Sequence, residues 1–188
     1  MNRVSQVTSS HCGPAVLQML LSFIGYYVSQ KALVEAAAVE EIVSEYGMIL
    51  PEMTRALNKL TPDLNFWYKR NSTLLELKQI VNIHKFPAGV AWQGVFLEYS
   101  DDEDDGHYSI VTRVDSAQGI IYIADPYEKF AGKDRILGTH LFEKHWWEIS
   151  ERIDPETGLI KHIADDRTMF VITPSHIHFP SDLGMEKG

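Results

Sequence analysis

The chain carries a single thiol, Cys12, in the stretch Ser9-Ser10-His11-Cys12-Gly13-Pro14-Ala15-Val16-Leu17. Free cysteines are among the most buried residue types, so residue type alone points to a small core side chain. Position points elsewhere. Pro14 suits the first turn of a helix, where its missing N–H is not needed, and AVLQMLLSFI runs on, apolar on nearly all sides, until Gly25 closes it. A cysteine at the start of such a helix sits at the positive end of its macrodipole, which favours thiolate over thiol. Gly13 would let the backbone turn tightly beside the sulfur.

A thiolate nucleophile needs a base, and the base needs a third group to fix its ring. His11 adjoins Cys12, but side chains one residue apart diverge, which puts His11 on the surface near the cleft. His107 opens the strand-like run HYSIVTRV, and Asp125 closes GIIYIAD. A hairpin centred on Ala117 pairs Asp115 with Gly119, Arg113 with Ile121, Val111 with Ile123 and Ser109 with Asp125. His107 and Asp125 then lie on one face as diagonal neighbours, about 7–8 Å apart or somewhat less at Cβ. A slip of one residue would put them on opposite faces. Gln6 precedes the cysteine closely enough for its amide to join the Cys12 N–H in stabilising an oxyanion.

These residues need elements to hold them. Behind the first helix, Ser29 caps a second through about Ala38, and GMILPEMTRALNKL reads as a third, with Leu50, Met53, Leu57 and Leu60 at helical spacing. Phe66 to Tyr68 is a short strand, and Ser72 or Thr73 caps LLELKQIVNIHKF. From Pro87 the pattern changes: PAGVAW, HYSIVTRV, GIIYIAD and TMFVIT are strands rich in Val, Ile and aromatics. A further helix covers THLFEKHWW, and a hairpin or loop surrounds IDPETG. Helices first and strands second is an α+β layout.

Composition narrows the function. Hydrophobic residues at 45% and charged residues at 23% describe one folded globular domain. A formal charge of −9 speaks against a phosphate-backbone binder, so nucleic acid is excluded as the expected partner. No apolar run approaches the roughly 20 residues of a membrane span. The N-terminus lacks a secretory pattern and one cysteine cannot make an internal disulfide, which together point to the cytoplasm. The acidic loop Asp101-Asp102-Glu103-Asp104-Asp105 lacks calcium-loop spacing and reads as a solvated loop near His107. His140 with His145, and His176 with His178, do not make a three- or four-ligand set, so no metal and no cofactor is expected. Trp92, Trp146 and Trp147 read as core or cleft wall.

The pattern Gln6, then Cys12-Gly13-Pro14-Ala15-Val16-Leu17-Gln18-Met19, then Gly106-His107-Tyr108 opening an apolar strand, then a strand ending Asp125-Pro126, resembles the papain-like peptidases that process bacteriocins at double-glycine leaders, and their stand-alone relatives. The resemblance runs from Gln6 to about Thr173. It implies a papain-like α+β fold, N-terminal helices packed on a C-terminal antiparallel sheet, over residues 1–174, with 175–188 as a poorly ordered tail. It also implies a cysteine peptidase in which Cys12 is the nucleophile, His107 the base and acid, Asp125 the group orienting His107, and Gln6 the oxyanion donor, cutting a peptide or protein substrate after small residues. Members in export systems are fused to a transporter with membrane spans and an ATPase, and this sequence carries neither. The acidic loop and residues 151–167 are expected insertions that reshape the cleft. The rival functions are an inactive papain-like peptide-binding module and a thiol-dependent acyltransferase; the sequence does not give the oligomeric state.

Overall fold

Residues Cys12–Phe23 form α1, whose Ala15, Val16, Leu17 and Leu21 are fully buried. Its narrow polar edge is used rather than wasted: Gln18 accepts from Gln30 Nε2 at 3.2 Å, and Ser22 Oγ accepts from the Asn2 N–H at 2.8 Å. Ser29 caps α2 (Gln30–Ala37) by accepting from the Ala32 N–H, and Ala38 ends it in the left-handed region. A short α3 (Val43–Tyr46) that the spacing did not announce leads into α4 (Leu50–Leu60), where Glu52 accepts from the Ile49 N–H. Strand β1 (Leu64–Lys69) follows, then α5 (Leu74–Lys78), capped by Thr73 and continued by a π-helical turn over Gln79–His84.

The second half is built of β2 (Ala88–Gln93), β3 (Gly106–Asp115), β4 (Ile120–Ala124), β5 (Asp134–Gly138), α6 (Thr139–Lys144), β6 (Ile149–Ile153), β7 (Ile160–Ala164), β8 (Met169–Pro174), α7 (Phe179–Asp182) and β9 (Glu186–Lys187). The computed structural model describes residues 1–94, 106–154 and 156–188, so the acidic loop at 101–105 lies outside the described residues. Among these, seven strands form one antiparallel sheet in the order β5-β4-β3-β2-β8-β1-β9, and β6 with β7 forms a separate hairpin.

Period-two alternation gives each central strand two apolar faces, and helices cover both. Tyr108 and Ile110 of β3 join Phe66, Ala91 and Phe170 against the N-terminal helices. Val111, Val114, Ile121 and Ile123 join Trp92, Phe142 and Trp146 on the other side. Trp92 and Trp146 are wholly buried as expected, whereas Trp147 is 40% exposed.

The segment expected to be a loose tail is packed. Strand β9 pairs with β1, Met185 is buried, and the Phe179 ring stacks on His84 at 4.0 Å between centroids. Phe179, Leu183 and Met185 supply a small apolar face that reaches the second core, which the polar residues around them masked in the sequence.

The β3–β4 hairpin also departs from the expected register at its turn. Asp115 pairs with Ile120, Val114 with Ile121 and Arg113 with Tyr122, so the turn holds four residues, 116–119, with Gly119 at φ +67°. Asp115 Oδ1 accepts from the Ala117 and Gln118 N–H groups and fixes that turn. Between Val111 and Arg113 the ladder shifts by one residue, a bulge at Thr112, and beyond it Val111 pairs with Ile123 as expected. The bulge cancels the longer turn, leaving the far ends of the two strands in the expected register.

Candidate active site

Cys12 is the first residue of α1, with 8% of its surface exposed. The residue beside it matters for a different reason than expected. Gly13 is not in the left-handed region; a Cβ there would stand 2.9 Å from Met53 Cε and 3.2 Å from Met48 Cβ. The glycine therefore lets the helix start press against Met48 and α4.

His107 sits one residue into β3, 2% exposed, opposite Trp92 of β2. Its Nε2 donates to Asp125 Oδ1 at 2.8 Å, and the Cys12 side chain lies near enough to the ring to interact with it electrostatically. Burial alone would push the imidazolium toward neutrality. Asp125 and Cys12 outweigh it and hold the His107 pKa up to about 10, so the ring is charged at neutral pH.

Asp125 is held from both sides. Oδ1 also accepts from the Tyr127 N–H at 2.9 Å, and Oδ2 accepts from Arg135 Nη1 at 2.7 Å. Burial raises its carboxyl, but the hydrogen bond and charge of His107, then Tyr127 and Arg135, leave it below the usual carboxylate range. Arg135 lies on β5, opposite Ile123, with its guanidinium over the Phe130 ring at 4.1 Å. Sequence reasoning missed it; the alternation in Lys133-Asp134-Arg135-Ile136-Leu137 after the Asp125 strand was the available signal. Gly94 was missed as well. A Cβ there would lie 2.6 Å from His107 Cδ2 and 2.7 Å from Trp92 Nε1, so only glycine leaves the imidazole its place.

Gln6 reaches this corner through its backbone, whose N–H donates to Pro126 O at 2.9 Å. Its side-chain nitrogen donates to Thr8 O at 2.9 Å and Ser9 O at 2.8 Å, so both amide protons hold the loop that leads to Cys12. His11 is half-buried and turned away, hydrogen-bonded through Nδ1 to Thr8 Oγ1 in a separate cavity lined by Val7, Gln18 and Gln30. Burial lowers its pKa.

A cleft of about 850 Å³ opens on Cys12. Its walls are the Ser9-Ser10 loop, α3 with Gly47 and Met48, the start of β3, and the β6–β7 hairpin. That hairpin is the region expected to be an insertion. Arg152 of β6 pins it: Nε and Nη2 donate to Glu52 at 3.0 and 2.7 Å, Nη1 to Tyr46 O and Glu151 O, and Nη2 to Gly47 O. All five guanidinium protons are thereby used.

A cysteine at a helix start, a histidine against it and a carboxylate behind the histidine form an arrangement suited to acyl chemistry through a thioester. The family model described as Peptidase_C39 like matches residues 1–153. The chain belongs to the Peptidase_C39 like family. No curated protein matches it. Among solved structures it is similar to the peptidase domain of Streptococcus ComA, a bi-functional ABC transporter involved in a quorum sensing pathway. The TM-score is 0.63 at 18% identity, over 93% of this chain and 98% of that one. This likeness establishes the α+β papain-like fold of a C39-like domain, as the sequence resemblance implied. Among the described residues, no helix is long and apolar enough to cross a membrane.

Proposed function

We propose that this C39-like domain is a cysteine peptidase that hydrolyses peptide bonds with Cys12 as nucleophile, His107 as proton carrier and Asp125 as the group orienting His107. The observation that carries the reading is the chain of contacts from the Cys12 side chain to His107 and from His107 Nε2 to Asp125 Oδ1 at 2.8 Å. The sulfur of the thiolate–imidazolium pair forms a bond to the peptide carbonyl carbon, and the carbonyl electron pair moves onto oxygen. Collapse breaks the C–N bond, and the departing amine takes the His107 proton. Water then attacks the thioester while His107 accepts a proton from it; the C–S bond breaks, releasing the acid and restoring the thiolate–imidazolium pair.

Two donors fall to the oxyanion. The Cys12 N–H is one of the first-turn donors for which the helix supplies no partner. Gln6 is the second, passing one amide proton from Ser9 O to the oxyanion as it forms. The substrate is a peptide or protein segment lying in the cleft beside the β6–β7 hairpin, with small residues before the scissile bond.

The test is alkylation with iodoacetamide at about pH 6 to 7, read by mass spectrometry at Cys12. The reading expects faster alkylation than for a free thiol, and a fall in rate on His107→Ala. A rate equal to that of a free thiol, unchanged by His107→Ala, would rule the dyad out.

A further inference from the structure

We propose that the cleft beside Cys12 contains a subsite for a cationic substrate side chain, lysine or arginine, received between the Glu148 carboxylate and the Tyr108 hydroxyl. This rests on the peptidase reading for its substrate class. Four observations point to it.

Among the described residues, the cleft that Cys12 opens on is lined by the carboxylates of Glu45, Glu148 and Glu151 and by no lysine or arginine. The one basic side chain among those described residues, His162, faces Glu151 at 3.5 Å. Arg152, the nearest guanidinium on the hairpin, has every N–H committed to Glu52 and to carbonyl oxygens. Among the described residues, carboxylates therefore outnumber basic side chains along the cleft wall.

Tyr108 is the independent observation. It lines the same cleft, is 3% exposed, and its hydroxyl has no hydrogen-bond partner among the described residues. Leaving a buried hydroxyl unmade costs on the order of 1–3 kcal/mol, so such a group calls for a ligand or a structural account. Burial and the charges of Glu148, Asp165 and Cys12 hold the phenol well above its ordinary range, so it stays a neutral hydroxyl with an oxygen that can accept.

Glu148 is placed for the same ligand. It is buried, Ser150 Oγ donates to its Oε1 at 3.1 Å, and a Cβ on Gly106 would stand 3.0 Å from its Cγ and Oε1. The bare backbone just before His107 thus makes room for this carboxylate beside the reacting groups. A carboxylate and a phenol oxygen are acceptors, and an ammonium or guanidinium offers several donors and no acceptor. The two sets are complementary.

The experiment uses acetylated polyalanine octapeptide amides carrying one Lys, Arg, norleucine or Glu at each position in turn. The first readout is protection of Cys12 from iodoacetamide, which needs no turnover, and the second is cleavage. In at least one register, Lys and Arg peptides are expected to protect at concentrations about tenfold or more below norleucine, as a hydrogen-bonded charge would give. Glu148→Gln is expected to collapse that ratio, and Tyr108→Phe to reduce it. Equal protection by Lys and norleucine peptides in every register of the wild-type protein, including none by either, overturns the proposal, as does a preference that survives Glu148→Gln. Charge-dependent protection without cleavage of any peptide would instead leave the subsite standing and count against the peptidase reading.

Discussion

Arg135 Nη1 lies 2.7 Å from Asp125 Oδ2, the carboxylate oxygen that His107 does not use. Both residues are buried, at 7% and 2% exposure. Removing the cation leaves Asp125 Oδ2 without its charged donor while His107 and Tyr127 still hold Oδ1, a loss on the order of 1–3 kcal/mol. Arg135→Met is therefore expected to lower the thermal midpoint of unfolding, and Arg135→Lys to recover part of the loss by keeping the charge without the planar fork. An unchanged midpoint for Arg135→Met would show that Asp125 does not depend on it.

The His107 pair has a definite pH signature. The folded pKa of His107 is raised from 6.5 to about 10, so the pair's contribution to stability is full below about pH 6.5 and is lost as pH rises through about 10. The lowered Asp125 carboxyl works in the other direction: its contribution is present above its ordinary 3.8 and is lost as pH falls through its lower folded value. Denaturant titrations of wild type and Asp125→Asn should show a gap that is widest between about pH 4 and pH 6.5 and narrows toward about pH 10. The alkaline limb of kcat/KM for any peptide substrate should move to lower pH in Asp125→Asn.

Gly94→Ala probes how tightly the imidazole is seated. Its new Cβ would stand 2.6 Å from His107 Cδ2, with Trp92 on the other side, and both neighbours are buried. The ring must shift, and a misplacement near 1 Å costs about 10²-fold in turnover. Measured kcat carries the result; full turnover in this variant would show that the ring is free to move.

Gln6 has two duties that can be separated. Loss of an oxyanion donor is expected to lower kcat by about 10²–10³-fold in Gln6→Ala. Alkylation of Cys12 by iodoacetamide passes through no oxyanion, so that rate should stay near wild type. A parallel fall in both would assign Gln6 to holding Thr8 and Ser9 alone.

Arg152 ties the β6–β7 hairpin to Glu52 and the carbonyls of Tyr46 and Gly47. Arg152→Met should release the hairpin, raising KM for peptides and speeding trypsin cleavage after Lys161, which is exposed but held in the β6–β7 ladder. The digest is followed by mass spectrometry. An unchanged rate of cleavage after Lys161 would mean that other contacts hold the hairpin.

The β3–β4 hairpin shows how legible the site was and why the rest was hidden. The expected pairing of Val111 with Ile123 holds, and with it the shared face of His107 and Asp125. The expected pairings of Arg113 with Ile121 and Asp115 with Gly119 fail, because the turn is one residue longer and Thr112 bulges. Two one-residue differences cancel at the site. Period-two alternation specifies which face a strand residue takes but not where a ladder absorbs an extra residue, since a bulge is decided by packing on both faces.

By itself the sequence determined most of the helices and the central strands and the polar order along them, but not α3, β5 or the α7–β9 end. Pro14, Ser29, Thr73 and the apolar periodicities specify local structure, because caps and periodicity act within a few residues. Cys12, His107 and Asp125 could be named from their places at the ends of such elements, and Gln6 from its spacing before Cys12 within the pattern that resembles the family. Tertiary structure alone decided what surrounds them. Arg135 meets Asp125, Gly94 meets the His107 ring, and Arg152 meets Glu52 only when distant strands and helices come together. Such contacts join residues far apart in the chain, and their geometry depends on register and packing that no local pattern encodes.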